Sequence, residues 1–463
     1  MSRPRFVFLT LATGMLAGCA TYHPKDIDLA TSRIQLESRR LSDPGLLALL
    51  SAQGLAVTHE WDLERLTLAA FYYSPELAGA RARLAEMEAG VRTAKALPNP
   101  ELNFTPGYNQ DASGGVTPWI LGYGLSMPLE LGGKRAYRTA EARWQAEAAR
   151  LDLAATAWKN RSAVRRALTE LHAAQDMATL WREQQPLLAQ AVKLVQAQVA
   201  AGEVSPLEAA QAGIALNRAE LAARESERAV ASARSRLAEA IGVSLTALDE
   251  IALSFASLGV APTPLSTVQT RELAVQNRAD LLSALAAYGA SQSALQIEIA
   301  RQYPDLLIGP GYQLDQGEGK WALSLGFTLP LFNRNQGPIA AAEARREGAA
   351  AQFMSVQNRV LAEVDRASGD YSAALEDLKT VQAMRANLVQ QAKTIRAQQA
   401  AGETSRLDLA RAQLELADNA RAELEARQRA ELAAAALEDA VQRPLAWTES
   451  AWRQTPSHPA KTP

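Results

Sequence analysis

Four unlike motifs occur twice and in the same order, so the chain is two copies of one half-molecule. Gln198-Val199-Ala200-Ala201-Gly202-Glu203-Val204-Ser205 returns as Gln398-Gln399-Ala400-Ala401-Gly402-Glu403-Thr404-Ser405. Pro100-Glu101-Leu102 returns as Pro304-Asp305-Leu306, Met127-Pro128-Leu129 as Leu329-Pro330-Leu331, and Ala140-Glu141-Ala142-Arg143 as Ala342-Glu343-Ala344-Arg345. The spacings are 200, 204, 202 and 202 residues, far beyond the period of about 20–50 that marks a solenoid. Any fold for this chain must therefore be built from two similar halves.

Within each half the side-chain period switches. From Trp61 to Leu97 the sequence reads as helix, ended by Pro98-Asn99-Pro100, since proline lacks the N–H and disfavours helix before it. From Trp119 to Leu129 the odd positions are Trp119, Leu121, Tyr123, Leu125, Met127 and Leu129, against Gly122, Gly124 and Ser126. The second copy alternates likewise from Trp321 to Leu331. Leu102, Phe104 and Tyr108, and in the second copy Leu306, Ile308 and Tyr312, supply the partner strands. Alternation of large apolar with small residues over about 10 positions is the signature of an outer-membrane barrel strand. A soluble half-buried sheet alternates similarly, but a tryptophan opening each strand, as for an aromatic girdle, and a small rather than charged opposite face favour lipid.

Helical composition then resumes and runs unbroken from Lys134 to Ala201 and from Gln336 to Ala401. At about 1.5 Å per residue each rod reaches roughly 100 Å. Pro186 is the one interior breaker, and a bend is expected there. Gly202 and Gly402 suit the left-handed residue that follows a helix end, and Ser205 and Ser405 suit the N-cap of a returning helix. In those helices Leu207, Ile214 and Leu221, like Leu407 and Leu414, are seven apart, a coiled-coil interval. Gly132-Gly133-Lys134-Arg135 lacks the glycine spacing of a phosphate loop and reads as a bend from strand into helix.

Four membrane strands cannot close a barrel, and open sheet edges are not tolerated in hydrocarbon. Two chains would give eight strands, a barrel filled by its own side chains, whereas three give twelve and leave a lumen. A homotrimer is the simplest conducting solution.

At the N-terminus Arg3 and Arg5 precede the apolar stretch Phe6 to Leu16 and then Leu16-Ala17-Gly18-Cys19. A basic start, a short apolar core and small residues describe a secretory signal, and the closing cysteine is similar to a bacterial lipoprotein signal. Cys19 is the only cysteine, which excludes a disulfide within the chain and makes it the expected site of lipidation (palmitate and related acyl groups). By that resemblance, Ala20 at the second mature position favours the outer membrane. The expected organisation is 1–18 signal peptide, 19–60 lipid-anchored tether, 61–242 first repeat, 243–266 linker, 267–445 second repeat and 446–463 tail. The formal charge of −2, moving to −4 without the signal, gives no support to nucleic-acid binding. Four scattered histidines and seven scattered methionines write no metal site, no catalytic motif is present, and no cofactor is expected.

The signal and Cys19, the duplicated helix–hairpin–helix halves and the G-x-x-S-x-L-[DE] turns resemble the TolC-like outer-membrane efflux proteins over about residues 61–445. Leu129-Glu130-Leu131-Gly132-Gly133-Lys134-Arg135 is similar to the cobalt–zinc–cadmium efflux subgroup. The resemblance implies a mainly α fold with membrane β: a trimeric twelve-stranded outer-membrane β-barrel continued by a long periplasmic α-helical barrel. It implies a channel for efflux of small solutes, heavy-metal cations or drugs among them, working with a periplasmic adaptor and an inner-membrane pump of the RND type. A conduit for polypeptide secretion and a periplasmic coiled-coil adaptor are the alternatives. In the family an acidic residue at the place of Asp408 lines the narrow periplasmic end, and Glu208 is its counterpart. A second familiar acid is replaced by Arg411, which stands i,i+3 from Asp408 and could pair with it. For Glu208 the simpler reading is a first-turn acid favoured by the helix dipole. By resemblance, six similar turns meet the adaptor through Gly202, Val204, Ser205, Leu207, Gly402, Thr404, Ser405 and Leu407.

Overall fold

The computed structural model describes residues 21–56, 58–258 and 266–444. Cys19, the 1–18 segment and the 446–463 tail lie outside the described residues. The chain begins with two short helices, α1 (Leu29–Glu37) and α2 (Pro44–Ala52), and a two-residue strand, β1 (Glu60–Trp61). Part of the region read as a tether is thus packed: Leu46 and Leu50 are buried in one core with Leu66 and Leu168. Arg39 donates to the Gly242 carbonyl at 2.7 Å, fastening this segment to the end of the first half.

The helix expected from Trp61 to Leu97 is instead two, α3 (Leu63–Tyr73) and α4 (Pro75–Lys95). Ser74 ends one and caps the next, its hydroxyl accepting from the Leu77 N–H, and Pro75 takes the first helical position, where its missing N–H costs nothing. β2 (Glu101–Tyr108) and β3 (Trp119–Leu129) follow, then α5 (Lys134–Ala200) and α6 (Pro206–Ile241). The helix assignment runs through Pro186 without a break. After α6 come the one-turn α7 (Leu245–Leu248) and β4 (Ala252–Leu253), which pairs in parallel with β1. The second half repeats the plan with α8 (Thr267–Asn277), α9 (Ala279–Ala300), β5 (Leu306–Asp315), β6 (Glu318–Phe327), α10 (Gln336–Ala400) and α11 (Arg406–Val441).

The second hairpin departs from the expected register. β6 opens at Glu318 and stops at Phe327, so Leu329 and Leu331 fall beyond the strand, where the Leu331 N–H turns back to the Leu329 carbonyl. Gln316 and Gly317 both take positive φ (51° and 98°), a tight two-residue turn that brings Asp315 opposite Glu318. The first hairpin instead spans a ten-residue loop, 109–118.

Each half has its own core. One gathers Leu41, Trp61, Leu66, Leu168, Leu237 and Ile241; the other gathers Leu281, Val360, Val364, Tyr371, Leu437 and Val441. Between them a polar seam joins α5 to α11. The Trp158 indole N–H donates to Asp439 at 2.9 Å, Arg161 and Arg165 engage the buried Glu438, and Gln184 donates to Asp418 at 2.8 Å. A removed partner there would strand a buried charge, so the seam fixes which faces of the two helices meet.

Candidate functional site

Two regions concentrate features that packing alone does not require: the four-stranded sheet and the paired turns at the far ends of the rods.

The sheet is antiparallel with order β2-β3-β5-β6, so β2 and β6 are its edges. The register puts Phe104 opposite Tyr123, Tyr108 opposite Trp119, and Tyr312 opposite both Tyr123 and Trp321. Their rings touch, with centroids 5.1, 5.1 and 4.9 Å apart for Phe104–Tyr123, Tyr108–Trp119 and Tyr312–Trp321. These pairs share one face with Leu102, Leu125, Leu323 and Leu325. That face is open: Leu102 is 76% exposed and Trp321 83%. The other face carries Asn103, Thr105, Gly122, Gly124, Gly311 and Ala322, which line a shallow hollow. No described helix is long and apolar enough to cross a membrane. One face of the sheet is thus apolar and open, and the other is lined mainly by small and polar residues.

At the rod tips the chain reverses twice in the same way. Gly202 (φ 74°) and Gly402 (φ 79°) follow the ends of α5 and α10. The Glu203 N–H returns to the Gln198 carbonyl at 2.9 Å and that of Glu403 to Gln398 at 2.8 Å, while Gly202 and Gly402 donate to Val199 and Gln399. Both turns are Schellman motifs. A Cβ on either glycine would meet nothing within 4 Å, so it is the positive φ and not crowding that calls for glycine.

The side chains break the symmetry that the backbone keeps. Ser405 accepts from the Asp408 N–H at 3.1 Å while the Asp408 carboxylate accepts from the Ser405 N–H at 3.2 Å, a complete capping box. Ser205 makes no such bond; Pro206 follows it. Leu207 is 65% exposed and Leu407 buried. Val204 and Thr404 are both half-buried. The two tip turns, expected to be near-equal, are thus alike in backbone and unlike in their caps.

The acids also sort differently than their spacing suggests. Asp408 is held below the usual carboxylate range first by the Ser405 hydroxyl, then by the Ser405 N–H, with Arg411 a lesser influence. Arg411's ion pair is with Glu208 of the other half, at 3.8 Å, and crosses from α11 to α6. An i,i+3 pairing within α11 gives way because Asp408 is occupied by its cap.

His172 packs its ring on Phe255, centroids 4.6 Å apart, and lies 3.8 Å from Asp176, one turn further along the same helix. Among the described residues no group of three or more His, Cys, Asp or Glu gathers as for a metal ion. Sequence reasoning overlooked Glu431, whose carboxyl burial pushes up to about 7 against the pull of Arg427. Its position in an Ala-rich helix gives no sequence signal; the rise comes from burial, with Asp176 of α5 adding to it and Arg165 opposing it.

Residues 70–243 and 270–441, the two halves, match the family described as "Outer membrane efflux protein". The chain is 26% identical over 359 residues, 77% of its length and 79% of the relative's, to the cobalt-zinc-cadmium resistance protein CzcC of Cupriavidus metallidurans. Its fold is similar to the outer membrane protein VceC of Vibrio cholerae, with a TM-score of 0.66 and 21% identity over 83% of this chain and 96% of that one. It is also similar to CusC, with a TM-score of 0.64 and 18% identity over 82% and 91%. With both halves matched, a sheet of membrane character and rods ending in paired turns, the chain belongs to the outer membrane efflux protein family, whose members are TolC-like efflux channels.

Proposed function

We propose that three copies of this chain form the outer-membrane conduit of a tripartite efflux assembly. In that arrangement β6 of each copy pairs with β2 of the next, closing twelve strands around a lumen lined by the small residues of Gly122, Gly124, Gly311 and Ala322. α5 and α10 prolong the channel into the periplasm, and the tip turns take up a periplasmic adaptor that links it to an inner-membrane pump of the RND type. Acylation of Cys19 adds a lipid anchor. The relation to CzcC supports divalent metal cations as the exported solutes.

The observation that carries this reading is the pair of unsatisfied edges on a sheet with one apolar face. Backbone N–H and C=O groups without partners are not tolerated in hydrocarbon, so this sheet can enter a membrane only by pairing with other copies. The purified full-length protein should run as a trimer by native mass spectrometry and open steady conductances in planar bilayers. A monomer that opens none would sink the proposal. For the substrate, cells carrying the chain with its adaptor and pump should gain tolerance to zinc, cobalt or cadmium. Gain of tolerance to hydrophobic drugs alone would move the substrate class away from metals.

A further inference from the structure

Just below the strand ends, a cleft of about 700 Å³ opens between the end of α4 and the start of α5. It is lined by Lys95, Arg135 and Arg143, none of which has an ion-pair partner among the described residues, and by the apolar Leu97 and Leu129. The one acid in it, Glu130, is already engaged: Arg138 donates to both its oxygens, at 2.6 and 3.1 Å. Three uncompensated cations thus stand beside exposed leucines where a membrane sheet meets the periplasm.

The cleft opens on the outer side of the channel wall. Asn109 donates to Pro118 and Gln316 to Trp119, which identifies the hydrogen-bonded pairs of the ladders. With the apolar face turned to lipid and the periplasm below, L-residue chirality then places β3 to the left of β2, and α5 to the left of α4, for a viewer outside. Thr139 faces α4, its hydroxyl reaching the Ala94 carbonyl at 3.4 Å. On a right-handed helix descending from that point, residues 136 and 143 turn outward and Arg138 toward the lumen. The same construction turns Lys95 outward from α4.

At the repeat spacings, Lys95 corresponds to Ile299 and Arg135 to Gly337, while Arg143 corresponds to Arg345. Two of the three cations are thus particular to the first half.

We infer that this cleft binds the headgroup of an anionic phospholipid of the periplasmic leaflet, with Lys95 and Arg143 beside the phosphate, Arg135 at the inner margin of the cleft, and Leu97 and Leu129 against the first acyl carbons. The inference rests on the reading of the sheet as membrane-spanning. Native mass spectrometry of the full-length protein released from mixed phosphatidylglycerol–phosphatidylcholine nanodiscs tests it. Wild type should retain phosphatidylglycerol preferentially. K95Q/R135Q/R143Q should lose the preference by about fivefold per cation removed, the effect of one basic side chain beside an anionic surface. A control with Lys379, Lys393 and Arg396 changed to Gln on the rod should keep it. Should the triple variant not assemble, K95Q alone serves, since the second half carries the uncharged Ile299 at its counterpart. Inorganic phosphate that displaces the lipid and binds as well by itself would instead mark a free-phosphate site. Equal retention of both lipids by wild type, or an unchanged preference in the folded variant, overturns the inference. Failure to enter nanodiscs at all would count against the membrane reading.

Discussion

Arg411 of α11 lies 3.8 Å from Glu208 of α6, so the starts of the two returning helices are tied by charge across the tip. Both side chains are about half exposed, and an ion pair in such a setting is worth roughly 0–1 kcal/mol. Its effect should therefore be on tip position, with little on global stability. R411A should leave the thermal midpoint almost unchanged while raising single-channel conductance, and E208A should do the same. Unchanged conductance in both would show that the pair does not hold the tip.

The asymmetric caps make a paired stability test. S405A removes the capping box and should cost about 1 kcal/mol, whereas S205A removes no side-chain bond and should cost a few tenths at most. Hydrogen exchange at the first turn of α11 against that of α6 reads the difference. Equal losses would contradict the two geometries. Because the Asp408 carboxyl sits below its ordinary range in the folded tip, its stabilising contribution is present at neutral pH. It fades as pH falls through and below that range, so the first turn of α11 should loosen first under acid.

G202V and G402V should each lose about 1–2 kcal/mol at the tip, since a residue with a Cβ resists positive φ. G202N and G402N should be milder. Nothing stands within 4 Å of the added Cβ inside the protomer. A fall in efflux beyond what the asparagine variants show would point to a partner seated on the turn.

Glu431 gives a pH dependence of the opposite sense. Its folded pKa, about 7, lies above the ordinary 4.5, so the folded state holds its proton more tightly than the unfolded chain. Stability from this group is complete below the ordinary value and declines as pH rises toward and through 7. The side chain is partly solvated, which reduces the effect to the order of 1 kcal/mol. Denaturation at pH 5 and pH 8 should show the decline in wild type and not in E431Q.

On the sheet, arginine at Leu125 or Leu323 should impair assembly by roughly 2–4 kcal/mol if placed near mid-bilayer. Arginine at Ser126, on the other face and opposite Glu101 in the register, should be tolerated. Equal damage at both sites, read as trimer yield, would mean that the alternation does not separate lipid from lumen.

Much of this architecture was legible because it is local. Alternation marked the strands, Gly202 and Gly402 the rod ends, and Gly132-Gly133 the bend, where φ of 70° and 77° confirms it. Ser74-Pro75-Glu76 also carries a local signal, an N-cap followed by a first-position proline, which the surrounding helical composition masks. Other features depend on residues far apart. Trp158 meets Asp439 across 281 positions, and β1 meets β4 only because α6 brings the chain back. Arg411's partner likewise could not be read from spacing, since Ser405 had first to occupy Asp408.

The two free edges belong to different strands, β2 and β6, so in the proposed trimer copies join head to tail: each offers one edge and receives the other. A contact of that kind has no internal stopping rule, and only sheet curvature decides whether successive copies meet in a circle or continue as a ribbon. A lone protomer is thus a template for the next, and a chain stalled before closure exposes a hydrophobic edge of the sort that seeds aggregates. Insertion and circularisation must then be nearly simultaneous for this protein, and cells that overproduce it should accumulate open chains wherever the membrane receives it too slowly.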